Sequence, residues 1–169
     1  VSYGYTPIIR FNEDFIIGDI SQDTIYQYSK NKTLTPILVK TPSIYSQDPQ
    51  MMVIPEFKTP KLFFLERTER KFNFETKEGF EREKIVYDYQ SGLFYKYALK
   101  NKDYPNQIFY LNSGGYAYRT GKNILCQFIS AEELIEANDE GELHGTLKDI
   151  TKTLRIDDNP VLMIMKFRE

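Results

Sequence analysis

In Pro7-Ile8-Ile9-Arg10-Phe11, Phe15-Ile16-Ile17-Gly18 and Thr24-Ile25-Tyr26-Gln27-Tyr28, short apolar segments are separated by Asn12-Glu13-Asp14 and Ser21-Gln22-Asp23. Runs of four or five residues with period two, bounded by Asn, Asp and Ser, read as strands joined by tight turns. Lys30-Asn31-Lys32 turns the chain once more, into a segment from Thr33 to Lys40. The reading is an antiparallel four-stranded meander.

Further along, the pattern returns. Met51-Met52-Val53-Ile54 opens a second round, and Lys58-Thr59-Pro60 turns it into Lys61-Leu62-Phe63-Phe64-Leu65. Ile85, Tyr87 and Tyr89 then alternate, and after Gln90-Ser91-Gly92 the residues Leu93, Tyr95, Tyr97 and Leu99 share one side. A third round begins at Gln107-Ile108-Phe109-Tyr110-Leu111, turns at Asn112-Ser113-Gly114-Gly115 and continues through Ile124-Leu125-Cys126-Gln127-Phe128. Four-stranded units recurring at about 40–50 residues or more are the signature of a β-propeller. Blades buried between two neighbours read as unbroken apolar runs, as in 62–65 and in Val161-Leu162-Met163-Ile164-Met165. The expected fold class is therefore all-β: about three four-stranded antiparallel propeller blades over 3–40, 50–100 and 106–169. That is half of a six-bladed ring, read as a single segment over 1–169, and a β-sandwich is the competing architecture.

Two stretches depart from this period. The segment 66–84 is densely charged, with Phe72, Phe74 and Phe80 interleaved, and reads as a solvated, extended hairpin turning at Glu78-Gly79. A small helical insertion is expected over 130–155. Ser130-Ala131-Glu132-Glu133 fits a capping box, and Leu143, Leu147, Ile150 and Leu154 fall at helical spacing, with Gly145 weakening the second helix.

Composition narrows the function classes. The chain has 169 residues, 41% of them hydrophobic and 27% charged, so it has the makings of a folded domain. A net charge of −2 supplies no basic field for nucleic acid. One Cys and one His exclude disulfide frameworks and Cys/His metal clusters. The 13 Tyr and 12 Phe favour pleated, half-buried surfaces. No apolar run approaches the roughly 18–20 residues that span a bilayer. The stretch 1–10 does not read as a secretory signal, so an export segment has been removed or the chain begins inside a longer protein.

Ile129-Ser130-Ala131-Glu132-Glu133-Leu134, followed by Asp157-Asp158-Asn159-Pro160-Val161-Leu162 and a terminal apolar strand, resembles a known family. It is similar to the C-terminal half of six-bladed β-propeller proteins, often lipoproteins, of Gram-negative gut anaerobes. Asp23-Thr24-Ile25-Tyr26 and Leu34-Thr35-Pro36 resemble blade strands of the same proteins. The resemblance implies an NHL- or TolB-like ring exported to the periplasm or cell surface. It carries no catalytic residues and no cofactor. A membrane attachment would need an anchor absent from this chain.

Three blades leave apolar faces uncovered, so self-association through the open faces is expected. Individual side chains give little chemistry. His144 reads as an exposed helix histidine, since no Gly-x-Ser-x-Gly elbow accompanies it. Cys126 alternates with Ile124 and Phe128 and reads as a small buried hydrophobe. The carboxylates around Asn138-Asp139-Glu140-Gly141 read as an acidic surface without the ligand spacing of a calcium loop. No metal site is expected. Ligand contacts are expected on the connections 41–50 and 100–106, from Tyr45, Gln47, Lys102, Tyr104 and Asn106, with Arg67 and Arg70 reaching the same end. The expected function is a non-catalytic binding or scaffold module for a glycan, peptide or protein. The alternative is a propeller-type enzyme, a lyase or hydrolase with its site in the channel, with or without a metal. A third reading makes the helical insertion itself the docking element.

Overall fold

The computed structural model describes residues 8–71, 74–75, 80–111, 117–119 and 124–167. The chain divides into two compact units, the first closing at Tyr97 and the second opening at Ala98. The described residues form an all-β structure of four antiparallel sheets with two short helices.

In the first unit, β1 (Ile8–Phe11), β2 (Asp14–Ile17), β3 (Thr24–Tyr28) and β4 (Leu34–Val39) make one sheet in chain order. Asn12 takes the left-handed φ of 56° in the two-residue turn between β1 and β2, a conformation that Asn tolerates better than most residues. A second meander follows: β5 (Met51–Lys58), β6 (Leu62–Glu69), β7 (Arg82–Asp88) and β8 (Leu93–Lys96). Pro36 and Pro55 sit in β4 and β5, both edge strands, where a missing N–H is tolerated.

One face of each sheet meets the other. Ile9, Ile16 and Ile25 of the first sheet pack with Phe63 and Leu65 of the second, flanked by Val53, Ile85 and Tyr87. Central β6 buries both faces at Phe63, Phe64 and Leu65, as its unbroken apolar run predicts. The sheets approach closely just after β2 ends. A Cβ on Gly18 would lie 2.6 Å from Cδ of Pro55 and 2.7 Å from its Cγ. Neither the proline ring nor the turn can yield cheaply, so Gly18→Ala is expected to cost about 1–3 kcal/mol, the usual range for overpacking. Chemical denaturation of the variant beside the parent chain measures it.

Among the described residues, the second unit contains a hairpin and a three-stranded sheet. β9 (Leu99–Asn101) and β10 (Tyr104–Phe109) form a hairpin. Separately, β11 (Ala117–Arg119), β12 (Ile124–Ile129) and β13 (Val161–Lys166) form a three-stranded sheet. The stretch 93–99, expected as one strand, is therefore divided between β8 and β9. The expected connection 100–106 is largely hairpin. The turns at Glu78-Gly79 and Asn112-Ser113-Gly114-Gly115, and Phe72, lie outside the described residues.

Helix α1 (Ala131–Asp139) is capped as its sequence predicts, with Oγ of Ser130 accepting from the Glu133 amide at 3.1 Å. Helix α2 (Gly145–Thr151) is shorter than expected. Gly145 begins it with φ +50° instead of lying inside it. The cap comes from the β9–β10 turn: the Asp103 carbonyl accepts from the His144 amide at 2.8 Å, and its carboxylate accepts from the Leu147 amide at 3.3 Å. Thr151, not Ile150, continues the buried stripe from Leu147, returning its hydroxyl to the Leu147 carbonyl at 2.9 Å. Leu134, Leu143 and Leu147 complete the core of this unit with Tyr104, Phe109 and Ile129.

Candidate functional site

The expected ligand-contact residues divide between the two units. In the first, the connection 41–50 contains a single 3-10 turn, Ile44–Ser46, held from a distance by Asp23. Asp23 accepts from the Ser43 hydroxyl at 2.5 Å and the Ile44 amide at 2.7 Å. Those donors, the Ile44 amide foremost, hold its carboxyl below the usual range. Tyr45 stands on this turn with 71% of its surface exposed. Gln47 is committed inward, donating to the carbonyls of Pro42 and Ser43 at 3.0 and 3.3 Å.

Arg70 donates to the side chain of Gln50 at 3.0 Å, which places it at the far end of the same connection. Arg67 pairs with Glu83 across β6 and β7 at 2.9 Å. Half-exposed pairs of this kind contribute little stability.

In the second unit, Tyr104 is a core residue rather than a surface one. Its ring meets Phe109 edge-on at 6.2 Å, and burial, followed by the carboxylates of Glu133 and Glu142, pushes its phenol up. Asn106 donates to Glu142 at 3.2 Å on the surface. His144 is exposed and Cys126 is buried on β12. Among the described residues, no group of three His, Cys, Asp or Glu side chains is placed to hold a metal ion.

Two features escape pattern reading. The first lies at the ends of the charged run 66–84, which was expected to be solvated. Glu66 is instead buried, and its cross-strand partner Lys84 is half-buried, their charged groups 2.7 Å apart. Lys84 also donates to Glu56, a fully buried carboxylate. Glu56 sits where the register between Pro55 and Phe57 shifts, the place of a β-bulge, and such a bulge re-aims a side chain. The phenol of Tyr97 donates to its second oxygen at 3.1 Å. Burial pushes Glu56 up despite Lys84, and burial beside Glu56 likewise raises Tyr97. Two carboxylates thus share one ammonium inside the protein. An Asp or Glu in a strand pattern beside Pro is a weak sequence signal for such an arrangement.

The second feature is a groove of about 660 Å³ in the second unit, between β9 and β13. Its walls are Leu99, Phe109, Met163, Met165 and Phe167, and Lys100, Lys102 and Lys166 stand among them. Asn101 is fixed there by an amide contact to Sδ of Met163 at 3.5 Å.

Among the described residues, several sheet faces carry exposed apolar side chains. In the first sheet, Phe15 pairs across to Tyr28 and Tyr28 to Leu34, all exposed, with Ile8 on the same side. In the three-stranded sheet, Leu162 and Ile164 share one face of β13 and are 46% and 62% exposed, while Cys126, opposite Ile164, is buried. The run 161–165 is therefore half-buried on one side and exposed on the other, against the expectation of two covered faces.

No protein-family model and no curated protein matches the sequence. Among solved structures, the fold is similar to that of a candidate exported protein of Bacteroides fragilis. The TM-score is 0.58 at 13% identity, over 95% of this chain and 49% of that one. The likeness is one of fold, and the chain spans about half the length of that protein. No helix among the described residues is long and apolar enough to cross a membrane.

Proposed function

We propose that the sheets are blades of a six-bladed, NHL- or TolB-like propeller exported to the periplasm or cell surface. This chain contributes about half of the ring. Its role in this reading is that of a non-catalytic scaffold that presents a glycan-, peptide- or protein-binding surface.

The observation that carries the proposal is the pair of open apolar faces, one on the first sheet and one on the three-stranded sheet. Contiguous apolar patches of this kind on a soluble protein mark surfaces that another element covers. The occupant proposed is a sheet of the same kind, which in the isolated chain a second copy supplies. The span of about half of the Bacteroides fragilis protein supports the same reading.

Sedimentation velocity at micromolar concentration tests it. A dimer or larger species is expected, and replacing Phe15 and Leu34 together by Glu should shift it towards monomer. A monomeric parent chain with a cooperative melt would overturn the proposal.

A further inference from the structure

We propose that the groove between β9 and β13 binds an amphipathic organic anion: a carboxylate or sulfonate head on an apolar body. Whether the sheets are propeller blades does not enter the argument.

Charge is the first observation. Three lysines, Lys100, Lys102 and Lys166, line the groove with no Asp or Glu among its described lining residues, in a chain whose acidic residues outnumber its basic ones by 24 to 22. All three lysines are exposed, and none forms an ion pair with a described residue. A lysine-only lining on a net acidic chain is electrostatically complementary to an anion.

The walls supply the second observation. Leu99, Phe109, Met163, Met165 and Phe167 are apolar, and methionine adapts its shape to an irregular guest. The volume falls within the range of small-molecule sites, which runs from about 300 to 1,000 Å³. An inorganic anion would leave this wall unused, and a neutral apolar guest would leave the lysines unused.

Backbone polarity is the third. Among the described strands, β9 pairs only with β10 and β13 only with β12, so each keeps one edge without a strand partner. Such an edge offers N–H groups that a carboxylate or sulfonate can accept from.

Fluorescence titration of the full chain with dansyl-undecanoic acid and, separately, with its methyl ester tests the proposal. The acid should bind saturably and more tightly than the ester. The double variant Lys100→Glu with Lys166→Glu should weaken the acid by about tenfold or more and leave the ester unchanged, as removal of charge complementarity requires. Both positions are exposed, so the variant should keep the parent's circular dichroism and melt. Lys61→Glu, an exposed charge reversal in the other unit, should leave the acid unchanged. Equal affinity for acid and ester, insensitivity to the lysine reversals at 100 and 166, or loss of acid binding in Lys61→Glu would each overturn the proposal. So would the absence of saturable binding.

Discussion

Lys84→Met is expected to lower the unfolding free energy by about 3–5 kcal/mol at pH 7, the range for removing one partner of a buried ion pair. Glu56 is fully buried and Glu66 nearly so, and Lys84 is the cation within hydrogen-bonding distance of both. Methionine fills a similar volume without a charge, so the loss comes from the buried carboxylates rather than from a cavity, and chiefly from Glu56, since Glu66 keeps the guanidinium of Arg82 at 3.9 Å. Glu56 already has a raised pKa because burial disfavours its charged form. A carboxyl raised in the folded state binds more protons folded than unfolded, so its contribution improves as pH falls towards the ordinary carboxylate range and worsens as pH rises. Without Lys84 that tendency grows. The deficit of Lys84→Met against the parent should therefore shrink between pH 8 and pH 5 in urea denaturation. A deficit that is constant over this interval, or below about 1 kcal/mol, would show that the carboxylates find other partners.

Phe63→Ala should cost a comparable amount, about 3–5 kcal/mol, for a wholly buried ring in a core that cannot collapse around the vacancy. Phe63 has no exposed surface and lies between the sheets with Ile9, Ile16 and Ile25 on one side and Leu65 beside it. Its strand is held on both flanks, by β5 and by β7, so the backbone cannot move in to fill the space. Thermal denaturation followed by near-ultraviolet circular dichroism measures the loss through the aromatic signal of this unit. A cost under about 1.5 kcal/mol, typical of a volume-conserving swap, would mean that the two sheets do not pack face to face around this ring.

The strands of the first sheet were legible because each is short, alternates, and ends on residues with turn chemistry of their own, such as Asn12 and Ser21-Gln22-Asp23. Where one strand stops without such a marker, the pattern misleads. Leu93, Tyr95, Tyr97 and Leu99 alternate without a break, yet the ring of Tyr97 turns in to meet Phe64 edge-on at 5.0 Å and the phenol reaches Glu56. β8 stops at Lys96, just before Tyr97, and no local feature of the sequence announces it. The apolar run 161–165 fails differently. Apolarity shows what a strand can bury, not how many neighbours are there to bury it, so Leu162 and Ile164 remain exposed.

The candidate site was less legible still. Lys102 was singled out, but from a supposed connection, and its companions Lys100 and Lys166 are far apart in the chain. Tyr104 was chosen as an aromatic in a loop, and the hairpin draws it into the core instead. Pro55 and Glu56 interrupt the apolar run Met51-Met52-Val53-Ile54. An edge position and a bulge let the strand run on to Lys58.

Asp23 has a consequence for how this protein can be taken apart. The conformation of the 41–50 connection is written partly outside it, in a carboxylate 20 residues before Ser43 that grips both Ser43 and Ile44. A graft of the connection alone into another scaffold would leave Tyr45 on an untethered loop. A transplant that keeps its shape has to carry the start of β3 along with it.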